Sequence, residues 1–242
     1  MSSTTSSPTQ ASRLDKYGFN CIARHVFMGI VVAALLFGGA GTTDWAWGWV
    51  FSIVHLLGWI GLSYALARWN PELLNQRGRR SRDLTGTKRW DWLLLGIYST
   101  LVLVQPFVGG LDYRYGWTGR AAPVVYIVGD VLVAGAFALL TWSMVVNRHF
   151  EATVRIQEAR DHQVVAAGPY RYVRHPGYVA VIVTFLGVGL AVGSLAALVL
   201  GAIGTLLFIV RTALEDQTLQ AELPGYAEFA QRTRYRLLPG VW

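Results

Sequence analysis

A cluster of polar side chains lies directly before the longest uncharged stretch of the sequence. Residues 170–178 contain three tyrosines, two arginines and one histidine, and no Asp, Glu, Lys or Arg occurs in residues 177–210. Charged groups beside hydrocarbon are costly unless they bind a partner, so this cluster predicts a binding site for a charged molecule. His175-Pro176 on its own is also typical of a plain helix start with basic anchors. The added aromatic rings and helix-start N–H groups favour a ligand with an adenine and a carboxylate.

A second candidate pair follows the uncharged stretch. Arg211 and Glu215 are four residues apart and therefore share one face of a helix. The simpler interpretation is an ion pair within the helix at the membrane surface. The functional interpretation assigns Glu215 to a cationic group of a ligand and Arg211 to an anionic one. Arg211 ends the apolar run, where the head group of an amphiphile would lie.

The elements that position these residues are predicted to be membrane-spanning helices. The chain has 242 residues, of which 53% are hydrophobic and 14% charged, a composition typical of a polytopic membrane protein. One helical span needs roughly 20 apolar residues. The longest run, of 34 residues, has Gly193-Ser194 at its middle and predicts a tight hairpin of two helices. We therefore expect an all-α protein with six spans, drawn from the runs 25–43, 45–67, 92–111, 121–147 and 177–210.

A helical hairpin returns its two ends to the same side of the membrane. Arg174, His175 and Tyr178 at its start should therefore face Arg211 and Glu215 at its end. The expected result is one pocket on one side of the membrane, formed by the segments that flank the hairpin.

The distribution of basic residues predicts the orientation of the chain. With six spans and the N-terminus inside, 19 of the 21 Lys and Arg residues lie on the inner side, and only Arg114 and Arg120 lie outside. This bias predicts cytoplasmic N- and C-termini, a multi-pass protein of the bacterial cytoplasmic membrane, and a pocket that faces the cytosol. The net charge of +7 then reflects membrane topology, and we predict no nucleic-acid partner.

The remaining features of the sequence do not indicate a catalytic or ligand-binding site. Residues 1–20 contain a Ser- and Thr-rich start without the zones of a cleaved signal peptide, and we expect a disordered tail. Cys21 is the single cysteine and the five histidines are scattered, so we predict no disulfide and no metal site. Asp130, within a predicted span, is expected to have a structural partner near the outer leaflet, and His55 to pack between helices.

The C-terminal residues 147–242, about 40% of the chain, resemble the isoprenylcysteine carboxyl methyltransferase family and the related phospholipid N-methyltransferases. The N-terminal four spans, residues 21–146, resemble it in hydropathy only. The residues that carry the resemblance are Gln157, His162-Gln163-Val164-Val165, Gly168-Pro169-Tyr170, Arg174-His175-Pro176-Gly177-Tyr178, Arg211 with Glu215, Leu223-Pro224-Gly225-Tyr226 and Tyr235-Arg236-Leu237-Leu238-Pro239.

The resemblance implies S-adenosyl-L-methionine as methyl donor and S-adenosyl-L-homocysteine as product. It assigns catalysis to Arg211 and Glu215, and acceptor binding to Arg211 and Arg174. The linker that follows Gln157 is shorter than in the eukaryotic enzymes, and Asp216 stands where the family often has a second Glu. The residues implied to bind the donor are Gln157, His162, Gln163, Val164, Val165, Tyr170, His175, Pro176, Gly177, Tyr178 and Glu215.

The implied function is methyl transfer to a lipid-like or lipidated acceptor that enters from the bilayer. A prenylated cysteine carboxylate, the amine of a phospholipid and a small thiol are all acceptors compatible with this resemblance. The alternatives outside enzymes are a transporter and a membrane scaffold. Binding of labelled donor in detergent distinguishes the methyltransferase from both.

Overall fold

The protein is all-α in the part of the chain that its computed structural model describes, residues 13–79, 86–155 and 162–242. This confirms the predicted fold class. A 3₁₀ turn at Gly168–Arg171 precedes the hairpin. The helices are α1 (Lys16–Ala40), α2 (Ala46–Trp69), α3 (Pro71–Arg79), α4 (Arg89–Tyr115), α5 (Pro123–Val146), α6 (Pro176–Ala191), α7 (Leu195–Glu222) and α8 (Tyr226–Arg232).

Five of these helices are long and apolar enough to cross a membrane, which makes the chain an integral membrane protein. They are α1, α2, α4, α5 and α7. The sixth predicted span corresponds to α6, an apolar helix of 16 residues. At 1.5 Å per residue it is about 24 Å long, shorter than a hydrocarbon core of about 30 Å. The sixth span therefore reaches less of the bilayer than the other five.

The predicted hairpin is present, and its turn lies between Ala191 and Leu195. Gly193 adopts a left-handed conformation (φ 62°) that a residue with a Cβ would strain to reach. Ser194 caps α7, because its side chain accepts a hydrogen bond from the Ala197 amide and its hydroxyl donates to Asp112 of α4. The turn is thus fixed to a neighbouring helix.

Small residues bring the helices close together, as is usual in membrane bundles. A Cβ on Gly110 of α4 would lie 2.0 Å from the Leu36 carbonyl oxygen of α1. A Cβ on Gly129 of α5 would lie 2.1 Å from the Ala191 amide nitrogen of α6. Gln105 of α4, 2% exposed, donates to the carbonyls of Phe185 and Ala197 and so joins α4 to the hairpin.

The N-terminal boundary differs from the prediction. Helix α1 begins at Lys16, with Asp15 accepting from the Tyr17 and Gly18 amides as its cap, so residues 16–20 are helical and not a tail. The rest of the predicted tail before residue 13 lies outside the described residues. The inner loop after α2 also contains α3, a short helix absent from the prediction because its apolar pattern spans only nine residues.

Two buried polar residues inside the bundle, His55 and Asp130, differ in their hydrogen bonding. His55 packs against Phe137 and its Nε2 accepts from the Trp59 indole at 3.1 Å, as expected for a packing histidine. Asp130 is 7% exposed, and neither carboxylate oxygen has a hydrogen-bond partner among the described residues. The predicted structural pairing of Asp130 is therefore wrong for the part of the chain that the structure describes.

Candidate active site

The two ends of the hairpin meet at one end of the bundle, which we call the site end. The Tyr178 hydroxyl of α6 donates to the Glu215 carboxylate of α7. The guanidinium of Arg174 bonds Asp216, and that of Arg211 lies 5.1 Å from the centre of the Tyr178 ring. The predicted juxtaposition is confirmed.

Asp216 is the centre of the polar network at the site end. It is fully buried and accepts from Arg174 Nε (2.7 Å), Arg236 Nε (2.8 Å) and the Tyr226 hydroxyl (3.0 Å). His175 Nε2 lies 3.3 Å from the same carboxylate. Sequence reasoning treated Asp216 as a mild change from the family pattern. A useful signal was available, because this acid directly follows Glu215 and lies five residues after Arg211.

Arg174 does not offer a free guanidinium to an acceptor. Both its Nε and its Nη2 donate to Asp216, and its Nη1 donates to the carbonyls of Thr233 (2.9 Å) and Arg234 (2.8 Å). Its own amide donates to the Tyr235 carbonyl. Arg174 therefore attaches the segment after α8 to the hairpin, and the acceptor contact expected for it does not agree with this geometry.

The guanidinium of Arg211 is also bound to other groups of the protein. Its Nε donates to Asp91 of α4 at 2.8 Å, its Nη2 donates to the Ala152 carbonyl, and the residue is 4% exposed. The second carboxylate oxygen of Asp91 accepts from the Val154 amide at 2.7 Å. The ion pair of Arg211 is thus with Asp91 and not with Glu215, and Arg211 does not line the pocket described next.

A pocket opens between the hairpin ends, the loop after α5 and helix α8. Its volume is about 110 Å³, and it is partly open to solvent. This volume is smaller than the roughly 300–1,000 Å³ typical of small-molecule sites, so a nucleoside-sized ligand would extend beyond the pocket towards solvent. We call it the candidate pocket.

Most residues predicted to bind the donor line the candidate pocket. Pro176 does not, and Gln157 lies outside the described residues. Arg211, predicted to bind the acceptor, does not line the pocket either. The predicted residues in the lining are His162, Gln163, Val164, Val165, Tyr170, Arg174, His175, Gly177, Tyr178 and Glu215. Lining residues that sequence reasoning missed are Asn147, His149, Phe150, Glu151, Thr153, Val154, Arg155, Leu219, Leu223, Tyr226 and Phe229.

The start of α6 gives the pocket its shape. Pro176 occupies the first helical position, as predicted, and is not part of the pocket lining. His175 caps the helix, and its ring stacks on Tyr178 with centroids 5.5 Å apart and an interplanar angle of 8°. A Cβ on Gly177 would lie 2.5 Å from the Phe150 ring, so glycine is what admits that ring to the wall.

Three further tyrosines at the site end differ in burial. Tyr170 and Tyr226 are buried in the wall, and burial raises the pKa of both phenols well above the usual value near 10. Both therefore stay protonated at neutral pH, and the Tyr170 hydroxyl accepts from Asn147 at 3.0 Å. Tyr172 is 64% exposed, because the 3₁₀ turn directs it outward, and it lies outside the pocket.

Comparison with known proteins agrees with this architecture. Residues 128–221 match the model of the isoprenylcysteine carboxyl methyltransferase (ICMT) family. This segment is similar to that family, and we call it the ICMT-family region. It contains α6, almost all of α7 and most of the pocket lining, which confirms the resemblance found in the sequence.

A curated relative is similar over a shorter stretch. The chain is 36% identical over 81 residues to the cobalt-zinc-cadmium resistance protein CzcN of Cupriavidus metallidurans. The match covers 32% of this chain and 37% of the relative. Among the residues that the structure describes, there is no group of three or more His, Cys, Asp or Glu side chains placed to hold a metal ion.

The ICMT-family region depends on residues outside its bounds. Asp91 in α4 binds Arg211, and Tyr226 and Arg236 bind Asp216. Asp91 lies 120 positions from its partner, and no local spacing in the sequence could have indicated the pair.

The charged and aromatic groups of the candidate pocket suit a ligand with a cationic group. Two carboxylates line it: Glu215, half-buried, and Glu151, which pairs with Arg155 at 2.9 Å. Tyr178 and Phe229 add aromatic surface, and the His149 and His162 rings pack 4.7 Å apart in the same wall. Carboxylates bind cationic groups, and aromatic faces bind a heterocycle. The lining therefore suits a ligand with a cationic group and an aromatic ring, whereas its arginines, Arg155 and Arg174, already bind carboxylates of the protein.

Proposed function

We propose that this protein is an S-adenosylmethionine-dependent integral membrane methyltransferase that methylates a membrane-embedded acceptor. The observation that carries the proposal is the acidic and aromatic pocket formed where Tyr178 and Glu215 meet inside an ICMT-family region. The likeness of residues 128–221 to the ICMT family supports methyl transfer in the membrane.

Glu215 is the group proposed to hold a cationic part of the donor. Its carboxylate is fixed by the Tyr178 hydroxyl, and that ring is supported on its other side by Arg211. We therefore assign Arg211 a positioning role beneath the pocket. Bound S-adenosylmethionine supplies an electrophilic methyl group. The task of the protein is then alignment and charge placement, which account for most of the catalysis in such displacements.

The acceptor proposed is the carboxylate of an isoprenylated cysteine. A carboxylate is already ionised at neutral pH, so its oxygen can form the bond to the methyl carbon while the carbon–sulfur bond breaks and the electron pair remains on sulfur. An amine acceptor, as in a phospholipid, or a small thiol would instead have to lose a proton to Glu215 or His175. Both alternatives predict a rate that rises with pH, whereas the carboxylate does not.

The proposed location is the bacterial cytoplasmic membrane, with the candidate pocket facing the cytosol. The support is the distribution of Lys and Arg, all but two of which fall on the side of the pocket when the helices are taken as spans. The donor would then enter from the cytosol and the acceptor from the bilayer.

Donor binding by purified protein tests the proposal. Calorimetry on the wild type should detect binding of S-adenosylmethionine. Glu215→Gln should weaken it by about 10- to 100-fold, because hydrogen bonds to a charged group contribute about 1.5–3 kcal/mol. Glu222→Gln is the matched control on the same helix, since Glu222 pairs with Lys88 and lies outside the pocket. No donor binding by the wild type would refute the proposal, and equal losses in both variants would refute the role of Glu215.

The acceptor can be identified in the same preparation. Purified protein is incubated with methyl-labelled donor and a membrane extract, and the labelled product is identified by mass spectrometry. A base-labile methyl ester supports the carboxylate, whereas a stable N-methyl or S-methyl product favours one of the other two acceptors.

A further inference from the structure

An apolar groove runs along the outside of the bundle between α2 and α5. Its volume is about 500 Å³, and its described lining carries no charged side chain. Small residues form both walls: Gly58, Gly61 and Ala65 on α2, and Ala134, Ala138 and Thr141 on α5. We call this the lipid groove.

The lipid groove has a closed end and an open end. A Cβ on Gly58 would lie 2.4 Å from the Phe137 ring, so the helices are in close contact there. At Gly61 a Cβ would meet nothing within 4 Å. From Gly58 to Trp69 the groove covers about 16 Å at 1.5 Å per residue, roughly half of a hydrocarbon core. It therefore lies in the leaflet nearest the site end.

The open end of the lipid groove continues towards the candidate pocket. A second cavity, of about 360 Å³, shares Trp69 and Val145 with the groove. The same cavity shares His149, Gln163 and Val164 with the candidate pocket. The three spaces are thus neighbours, in order from the groove to the pocket that contains Glu215, and their lining changes from apolar to polar in that order.

The ends of the two helices are fixed where the groove meets the second cavity. Asn70 follows α2, and its side-chain amide donates to the Met144 carbonyl of α5 at 2.9 Å. Trp69 and Trp142, 60% and 47% exposed, flank this point as interfacial aromatic residues do. The two helices are therefore anchored to each other at head-group depth, where the groove and the second cavity adjoin.

We infer that the lipid groove binds the hydrocarbon chain of the methyl acceptor and directs its polar end through the second cavity to the candidate pocket. This rests on the proposed function. The small side chains leave room for one narrow chain, and the change to polar lining beyond Trp69 matches a molecule with an apolar tail and a polar head. Helix α2, outside the ICMT-family region, thereby becomes part of the acceptor site.

Filling the groove tests this inference. Gly61→Leu places a side chain into open space in the groove. Gly135→Leu is the matched control: Gly135 lies on α5 with equally open surroundings but outside the groove, and both changes add the same helix propensity. Ala138→Leu fills the groove from the opposite wall and serves if Gly61→Leu fails to fold. Gel filtration and circular dichroism check folding.

The probe is an N-acetyl-cysteine bearing a farnesyl chain with a diazirine, in phosphatidylcholine vesicles that contain the full chain. Cross-links located by mass spectrometry should fall on α2 and α5 and should be competed by unmodified farnesylcysteine but not by added phosphatidylcholine. Gly61→Leu should reduce them and raise the KM for the probe about tenfold or more, with donor affinity unchanged. Gly135→Leu should behave as wild type.

The failure of this inference differs from the failure of the proposed function. Methylation of the probe with cross-links elsewhere, or with equal effects of Gly61→Leu and Gly135→Leu, would overturn the groove assignment and leave the methyltransferase intact. Competition by phosphatidylcholine would overturn it too, because the groove would then hold bulk lipid. Groove cross-links without donor binding would support the groove and refute the methyltransferase.

Discussion

Replacing Asp91 should reveal how much of the site depends on α4. Asp91 is fully buried and accepts from Arg211 Nε at 2.8 Å and from the Val154 amide at 2.7 Å. Breaking a buried ion pair by removing one partner costs about 3–5 kcal/mol, because the other charge remains without compensation. Asparagine can keep one of the two hydrogen bonds. We therefore expect the free energy of unfolding to fall by about 3 kcal/mol in Asp91→Asn and by about 5 kcal/mol in Asp91→Ala.

The assay is unfolding in mixed micelles by increasing sodium dodecyl sulfate, followed by circular dichroism. Asp130→Asn is the control, because Asp130 is also a buried carboxylate in a spanning helix but has no hydrogen-bond partner among the described residues. Its removal should leave stability unchanged or raise it. Donor affinity should fall in Asp91→Asn as well, since Val154 belongs to the wall of the candidate pocket.

A double variant separates the charge pair from general damage. Asp91→Asn combined with Arg211→Met removes both charges and should be more stable than Asp91→Asn alone, with a coupling of about 1 kcal/mol or more. Equal losses for the Asp91 and Asp130 variants, or a double variant less stable than both single ones, would show that the ion pair does not hold the loop after α5 in place.

Three further expectations follow from single contacts. Tyr178→Phe removes the hydroxyl that fixes Glu215 and should lower kcat/KM about tenfold with little change in the unfolding midpoint, measured by labelled-methyl transfer and circular dichroism. Gly193→Ala should destabilise by about 1 kcal/mol or more, seen in the same unfolding titration, because the residue has φ 62° and its Cβ would lie 2.5 Å from the Tyr126 ring. Burial raises the pKa of Tyr226 above its ordinary value of 10.0, so the stabilisation from its protonated form is present below pH 10 and is lost as pH rises further. The free energy of unfolding of the wild type, measured by thermal unfolding, should therefore fall by about 1 kcal/mol between pH 10 and 11 relative to that of Tyr226→Phe. Parallel pH profiles for the two proteins would contradict this.

The arrangement of the hairpin was predictable because its determinants are local. An uncharged run with Gly193-Ser194 at its middle has few ways to cross a membrane and return, and the residues at its ends must then meet. The meeting of Tyr178 with Glu215 follows from that topology alone. Helix starts at proline and caps at Ser194 are equally local.

The choice of partners within the site was not predictable. Spacing placed Arg211 beside Glu215, but packing against α4 brought Asp91 nearer, and a fully buried carboxylate has the stronger need for a cation. Arg174 was expected to face the acceptor, yet Asp216 and two carbonyls of the last segment satisfy it. Which partner each arginine binds depends on the distances between segments that are remote in the sequence. A single sequence does not give those distances.

The contact of Asp91 with Arg211 bears on how this polypeptide can be divided. The boundary drawn by family likeness, near residue 128, separates these two partners. A fragment that begins at that boundary would carry an orphaned guanidinium into the bilayer and would lack one wall of the passage beside α2. A chimera that joins the C-terminal half to other N-terminal helices therefore needs a carboxylate at the same depth in the membrane. Exchange of such halves between proteins is then possible only where the N-terminal half provides that carboxylate.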